Sequence, residues 1–274
     1  MCRHLAYVGP PTTLSSLLLE PPHGLLHQSY APADMRGGGT VNADGFGAGW
    51  YAAGLQQCHP ADVGLQQCHP AAEPPPPVRY RSERPIWADP TFAALAAATS
   101  TGAVLAAVRS GSPGMPVTAT AAAPFGEGRW LFSHNGLVRG WPDTVAALAA
   151  RLPVTDLLTL DAPTDSALLW ALVRDRLRDG ADPADALRAV VTNVEAAAPG
   201  SRLNLLLTDG TGVWATAWTH ALSVRTGPAS VLVCSEPTDA LPGWTDVPDR
   251  HLVVARPGHC HLAELTTRAE EGVR

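Results

Sequence analysis

Cys2 carries two chemically useful groups on one residue once the methionine before it is removed. A small side chain at position two permits that removal, so the mature chain can begin with a cysteine. Its α-amine then titrates near ~7.7–8.0 and its thiol near ~8.5. The amine, directly or through one water, can accept the thiol's proton as attack begins. A residue that is nucleophile and base together requires no triad. It does require donors for an oxyanion and a clamp for a substrate.

Three further stretches could supply those parts. The apolar run Val104-Leu105-Ala106-Ala107-Val108 predicts a strand covered on both faces, and it delivers Arg109 at its end, followed by a loop of small donors, Ser110-Gly111-Ser112-Pro113-Gly114. Taken alone, such an arginine is most often a salt-bridge partner. Trp130-Leu131-Phe132-Ser133 predicts a strand running into His134-Asn135-Gly136. Asn-Gly marks a type I′ hairpin turn; equally, an amide side chain beside a glycine N–H is a workable oxyanion hole. Asp165 opens a helix with Leu168, Leu169, Leu172, Val173 and Leu177 at helical spacing. A carboxylate there has a structural explanation, because it complements the free N–H groups and the helix dipole.

The elements that must hold these residues follow from periodicity and punctuation. Arg3 to Gly9 reads as a first strand that pins Cys2 to a sheet edge, and Thr13 caps a short helix bearing Leu14, Leu17 and Leu18, ended by Pro21-Pro22. Gly24 to Gly39 reads as loop. In Asn42 to Trp50, glycines 45, 47 and 49 share one face of a strand, which lets another backbone or a ligand approach; they open no helix, so a dinucleotide loop is set aside. Arg79 to Arg81 resumes a strand, while Pro90 to Ala98, Pro142 to Leu152 and a segment from Asp182-Pro183 to Pro199 read as helices. Strands are predicted at 203–207, 213–218, 222–225, 231–234 and 252–255. Strands, helices, then strands favour α+β layers over alternating βαβ units.

Composition narrows the class. The chain has 274 residues, 46% of them hydrophobic, enough to bury a full core. A net charge of −6 gives no reason to expect nucleic acid or an anionic membrane surface as partner. Five cysteines, an odd number at irregular spacing, with no charged and apolar leader, predict reduced thiols and a cytoplasmic location. Gly54 to Ala61 recurs as Gly64 to Ala71, placing Cys58-His59 and Cys68-His69 in the two copies. Adjacent ligands do not match zinc spacings, so the expectation is a duplicated segment in an exposed hairpin loop continued by Pro74 to Pro77.

In their order, Cys2 after Met1, the glycine strand ending at Trp50, Arg109, Ser133-His134-Asn135-Gly136 and Thr164-Asp165-Ser166-Ala167-Leu168-Leu169 resemble the class II glutamine amidotransferases. These are N-terminal-nucleophile hydrolases with an α+β, four-layer αββα sandwich. The likeness spans nearly the whole chain, implying one such domain over 1–274 with an insertion at about 54–78. Met1-Cys2-Arg3-His4-Leu5, Pro21 to Leu26, Gln28 to Pro32, Val108-Arg109-Ser110, Ala123-Pro124-Phe125, Ser235-Glu236-Pro237 and Asp249-Arg250-His251 are most similar to the stand-alone hydrolases of ergothioneine biosynthesis, which act on γ-glutamyl-hercynylcysteine S-oxide. No synthase or isomerase domain is expected to follow.

The resemblance implies that Cys2 forms a thioester, that Asn135 and Gly136 donate to the oxyanion, and that Arg109 and Asp165 bind the α-carboxylate and α-ammonium of the glutamyl group. Ser110, Ser112 and His134 are implied as further substrate-binding residues. It implies a small-molecule γ-glutamyl substrate, no cofactor, no metal and room for a homo-oligomer. Where the family often has Thr-His-Gly after its arginine, this chain has Ser112-Pro113-Gly114; proline cannot donate as histidine does, which favours a specialised γ-glutamyl amide over free glutamine. A trimethylammonium on the leaving group would suit an aromatic face, with Trp50, Trp87, Trp130 and Trp141 as candidates. The competing readings are a glutaminase-like hydrolase of another γ-glutamyl amide, a non-catalytic binding protein, and an amidase for bile salts or penicillins, whose substrates lack the head group that Arg109 and Asp165 would read.

Overall fold

The computed structural model describes residues 2–36, 41–52 and 76–265. The first strand runs further than expected, Arg3–Thr13 (β1), and passes straight into helix α1, Leu14–Leu18, whose N-cap is Thr13: its hydroxyl accepts the Ser16 N–H at 3.1 Å. The stretch expected to be loop contains a one-turn helix, Leu25–Gln28 (α2), because Leu25 and Gln28 are buried. Strands Phe46–Trp50 (β2) and Val78–Ser82 (β3) follow, then helix Pro90–Ala98 (α3), capped by Asp89 accepting the Phe92 N–H at 3.0 Å, and strand Ser100–Val108 (β4).

Strands Phe125–Glu127 (β5) and Trp130–Leu137 (β6) lead to Ala146–Ala149 (α4), Val154–Leu158 (α5), Asp165–Arg178 (α6) and Pro183–Ala197 (α7). The helix expected over Pro142 to Leu152 is instead a 3-10 turn, Asp143–Val145, running into the four residues of α4, with Val145 and Leu148 its buried anchors. The remaining strands are Arg202–Thr208 (β7), Val213–Ala217 (β8), Ser223–Thr226 (β9), Val231–Cys234 (β10), Trp244–Asp246 (β11), His251–Arg256 (β12) and His259–Glu264 (β13). β11 and β13 are edge strands with mostly exposed or half-buried residues, so they lack the apolar signal that marked the others.

Two antiparallel sheets result, ordered β11-β9-β10-β1-β4-β2-β3 and β13-β12-β8-β7-β6-β5. Successive side chains of a strand point to opposite faces, and here each neighbour joins a different core. Leu5, Val104 and Phe46 pack with Leu14, Leu18 and Phe92 beneath the helices of the first sheet. Ala6, Leu105, Leu131, Leu206, Ala215 and Val233 pack between the sheets. Phe132, Leu203 and Leu205 pack with Leu168, Trp170, Leu187 and Val191 of α6 and α7. The architecture is the expected α+β, four-layer αββα sandwich.

Gly47 and Gly49 of β2 do what their spacing predicted, whereas Gly45 precedes the strand at φ 111°. A Cβ on Gly47 would stand 2.4 Å from the Ala123 carbonyl oxygen, and one on Gly49 2.8 Å from a Leu131 methyl, so only glycine lets the second sheet come this close. β2 and β3 pair antiparallel, Trp50 opposite Val78, so the segment between them joins adjacent strands. The repeat, with its Cys58, His59, Cys68 and His69, lies outside the described residues, as do Met1 and the Gly37-Gly38-Gly39 run. Among the described residues no helix is long and apolar enough to cross a membrane.

Candidate active site

Between the sheets, the inward-facing residues change from apolar to polar along the strands. β1 supplies Val8 and Ala6 to the apolar end, then His4 and, by continued alternation, Cys2. β6 gives Leu131, then Ser133 and Asn135; β7 gives Leu206, then Asn204 and Arg202; β10 gives Val231 and Val233, then Ser235. β4 gives Leu105 and Ala107 and is followed by Arg109. One end of the sandwich therefore collects a thiol, imidazole, amides, hydroxyls and guanidinium groups where a core would otherwise be.

Cys2 is half-buried, and its Sγ donates to the Ser110 carbonyl oxygen at 3.7 Å. Its own carbonyl accepts from Arg3 Nη1 at 3.0 Å. Arg3 is itself buried, with Nε 2.7 Å from Glu236 Oε1 and Nη2 bonded to the Asp34 carbonyl. Glu236 also meets His23 Nε2 at 2.5 Å and accepts the N–H groups of Ala33 at 2.8 Å and Asp34 at 3.2 Å. Burial pushes this carboxyl up, but His23, the two N–H groups and Arg3 together outweigh it and hold it below the usual range. Cys2 is thus anchored from behind by a buried ion pair that sequence reading did not single out.

Arg109 is fixed through its backbone: its N–H donates to Gly45 at 2.8 Å and its carbonyl accepts from Asp44 at 3.0 Å. Nη1 donates to the carbonyls of Asp44 at 3.2 Å and Pro116 at 2.9 Å. Its Nη2 lies over Gly111, where a Cβ would come within 3.2 Å, and among the described residues no carboxylate pairs with it. Asp44 accepts the Gly111 N–H at 2.8 Å, which shapes the loop holding Ser110 and Ser112. Ser112 is half-buried there, and Pro113 and Gly114 point to solvent.

Asn135 and Gly136 form no turn; the strand runs through them, with Asn135 opposite Asn204 and Gly136 opposite Leu203. Asn135 is 1% exposed, its Nδ2 donates to Ser235 Oγ at 3.4 Å, and its buried Oδ1 has no partner. A Cβ at 136 would fall 1.8 Å from the Arg202 carbonyl oxygen, which makes glycine obligatory.

His134 and Asp165 lie on the helix side of the same strand end. The His134 Nε2–H donates to the Arg202 carbonyl at 2.9 Å, so its Nδ1 accepts the Ser166 hydroxyl at 3.0 Å. Both ring nitrogens are taken, and burial pushes the imidazole's pKa down, leaving a positioning group that ties α6 to β7. Asp165 accepts the Val138 N–H at 2.9 Å and the Ser166 N–H at 2.7 Å, while Thr164, not Asp165, caps α6. Asp165 reaches Gly136 through Val138, two residues along the chain.

Two further histidines complete this end. His4 Nδ1 lies 3.3 Å from Ser133 Oγ and its Nε2 is buried without a partner; His220 is buried with neither ring nitrogen partnered. Burial first, then neighbouring cationic groups and imidazoles, lowers both to about 3, so both are neutral near pH 7. The sequence held no signal for His220, which follows a strand by three residues. A cavity of about 540 Å³ opens beyond Ser235 and Glu236, walled by Asp34, Leu222, Asp239 and Val247.

Of the four candidate tryptophans, Trp50 and Trp130 sit at the far ends of β2 and β6 from Phe46 and Asn135, and Trp141 packs on the α6 and α7 core. Trp87 ends an aromatic row, His23–His27–Tyr30–Trp87, that starts at the partner of Glu236. Among the described residues no group of three or more His, Cys, Asp or Glu side chains is arranged to hold a metal ion.

No protein-family model matches the chain. It is 42% identical over 267 residues to the gamma-glutamyl-hercynylcysteine sulfoxide hydrolase of Mycolicibacterium smegmatis, covering 97% of this chain and 100% of that protein. It is 38% identical over 253 residues to the protein of the same name from Mycobacterium tuberculosis, with 92% of each covered. A glutamine aminotransferase class-II domain protein from Silicibacter pomeroyi has the same fold, with a TM-score of 0.65 at 21% identity over 97% of this chain and 100% of that one.

Proposed function

Because the chain belongs to the gamma-glutamyl-hercynylcysteine sulfoxide hydrolase family of class II amidotransferase-like proteins, we propose that it hydrolyses the γ-glutamyl amide of hercynylcysteine S-oxide, releasing glutamate in ergothioneine biosynthesis. The observation that carries the reading is the shared location of Cys2, the Asn135 amide, whose Nδ2 makes only a 3.4 Å contact to Ser235, and the carboxylate-free side of Arg109 at one end of the inter-sheet layer. The 54–78 segment is read as an insertion in a single domain.

In this mechanism Met1 is removed and the freed α-amine takes the Cys2 proton. The sulfur attacks the γ-carbonyl, and the Asn135 Nδ2 and Gly136 N–H stabilise the oxyanion; one such donor is worth roughly 10²–10³ in rate. Asn135 must then exchange its long 3.4 Å contact to Ser235 for the substrate. Collapse breaks the C–N bond, and the amine leaves with the proton. Water hydrolyses the thioester, giving glutamate and restoring the thiol. Arg109 receives the glutamyl α-carboxylate in a two-pronged contact, with Ser110 and Ser112 lining its loop, and Asp165 receives the α-ammonium. His134 acts by holding Asp165's helix in place.

Glutamate release from γ-glutamyl-hercynylcysteine S-oxide and from glutamine, measured with the mature enzyme and with Cys2→Ala, tests this. Turnover of the sulfoxide, abolished by the substitution, is expected. Turnover of glutamine alone would keep the chemistry and discard the substrate, and turnover of neither by protein lacking Met1 would discard the hydrolase.

A further inference from the structure

Arg202 begins β7 opposite Leu137, and its carbonyl is held by the His134 Nε2–H at 2.9 Å against the face of Gly136. The backbone of this arginine is therefore locked beside the donor pair. Alternation from Leu206 through Asn204 turns its side chain into the layer that contains Cys2. There its Nε is buried with no hydrogen-bond partner, and among the described residues no carboxylate forms an ion pair with the guanidinium. The residue is half-buried, and a guanidinium whose Nε is sealed from water without a partner is costly unless something completes it.

Its surroundings are those of an anion site. Burial first, and the Arg139 guanidinium second, push its pKa down, while Cys2 is the group that pulls it up. Arg139 donates through Nε to the Gly200 carbonyl at 3.0 Å and carries a second positive charge on this side. His220 is shaped into the same wall. The Asn204 amide accepts the N–H groups of Trp218 at 2.8 Å and His220 at 3.2 Å, and donates to the carbonyls of His220 at 3.0 Å and Ala221 at 3.2 Å. That clamp holds Thr219 at φ 82°, a conformation a threonine rarely takes. The result is a neutral imidazole with an unused N–H near an unused guanidinium.

Resting on the γ-glutamyl hydrolase reading, we propose that Arg202, backed by His220, binds the α-carboxylate of the leaving amine, so that the enzyme selects γ-glutamyl amides of α-amino acids. In such a substrate the scissile nitrogen sits on a carbon bearing a carboxylate, as it does in a cysteine-derived leaving group. Glutamine, which releases ammonia, offers nothing to this arginine. Arg109 would read the carboxylate on the acyl side of the bond and Arg202 the one on the amine side. A guanidinium suits both for its paired donors.

The test compares γ-glutamyl-S-methylcysteine S-oxide with the same amide lacking the leaving-group carboxylate, using the mature enzyme, Arg202→Met and Arg202→Lys. The wild type should prefer the acid by about 10- to 150-fold in kcat/KM, the range of one charged hydrogen-bonded contact. Arg202→Met should lose that factor on the acid and far less on the decarboxylated amide, and Arg202→Lys should keep part of it. Inhibition of the wild type by S-methylcysteine S-oxide, weakened on decarboxylation, reads the same contact without relying on a variant's folding. Equal losses on both amides would mean that Arg202 serves Cys2 alone and would overturn the proposal, as would a wild type indifferent to the carboxylate. A wild type that cleaves neither amide yet binds S-methylcysteine S-oxide in calorimetry, and binds it more weakly after decarboxylation, would overturn the hydrolase reading while keeping the anion site.

Discussion

Asn135 and Asn204 face each other across β6 and β7, and their amides are used in opposite ways. Asn204 makes four hydrogen bonds to the 218–221 turn, whereas Asn135 makes one long contact and leaves its buried oxygen without a partner. One amide commits its hydrogen bonds to the wall and the other leaves most of its capacity unused.

Substitution should separate the two. Asn204→Ala removes four side-chain hydrogen bonds to the turn and should cost roughly 2–4 kcal/mol of stability, read as a lower urea midpoint. Asn135→Ala should leave the midpoint within about 1 kcal/mol but lower kcat by roughly 10²–10³. Matching effects at both positions would show that Asn135 is structural too.

Gly136→Ala should be more damaging than an ordinary strand substitution. The new methyl would need the space of the Arg202 carbonyl, 1.8 Å away, so β6 and β7 must part. Loss of cooperative thermal unfolding, or a Tm lower by many degrees together with lost turnover, is expected. A variant with normal Tm would mean that the strand end is free to open.

These two positions show how much could be read beforehand. The strand ending at Arg109 and the helix opening at Asp165 were legible because apolar runs and caps are local signals. Asn-Gly was ambiguous, since the residues that favour a hairpin turn also fit a strand whose neighbour leaves no room for a side chain; only the register with β7 decides. Arg202, His220 and the Arg3–Glu236 pair carried no local pattern. Arg3 meets Glu236 across 233 positions, and such a contact is created by the order of strands in the sheet.

The Arg3–Glu236 pair itself makes a clear prediction. Both side chains are nearly inaccessible, so removing the carboxylate leaves Arg3 charged and unmatched behind Cys2. Glu236→Ala should lose about 3–5 kcal/mol and Glu236→Gln less, with kcat falling in the same order. A stability loss near zero, measured by urea unfolding, would mean that water readily replaces the carboxylate.

Trp87 is 43% exposed at the end of its aromatic row, edge-on to Tyr30 with ring centroids 6.0 Å apart. Neither Trp50 nor Trp130, buried or packed at the other end of the sandwich, can offer a face near Cys2. Trp87→Ala should raise KM several-fold for a leaving group carrying a trimethylammonium, and leave KM unchanged for one without it. Equal KM shifts for both amides would remove the cation–π role.

Acid should destabilise the fold through its two buried, neutral imidazoles. In the unfolded chain His4 and His220 titrate near ~6.5; in the folded chain burial, with Arg3 and the other imidazoles around them, holds both at about 3. Between those values the unfolded chain binds more protons, so stability rises with pH. Their contribution is complete above ~6.5 and is lost as pH falls towards 3. Replacing either by asparagine removes one proton uptake, so the urea midpoint should fall less between about pH 7 and about pH 5 than it does in the wild type. Parallel falls in wild type and variants would mean that these rings take up protons inside the folded protein, and that the polar end of the inter-sheet layer is wetter than its burial implies.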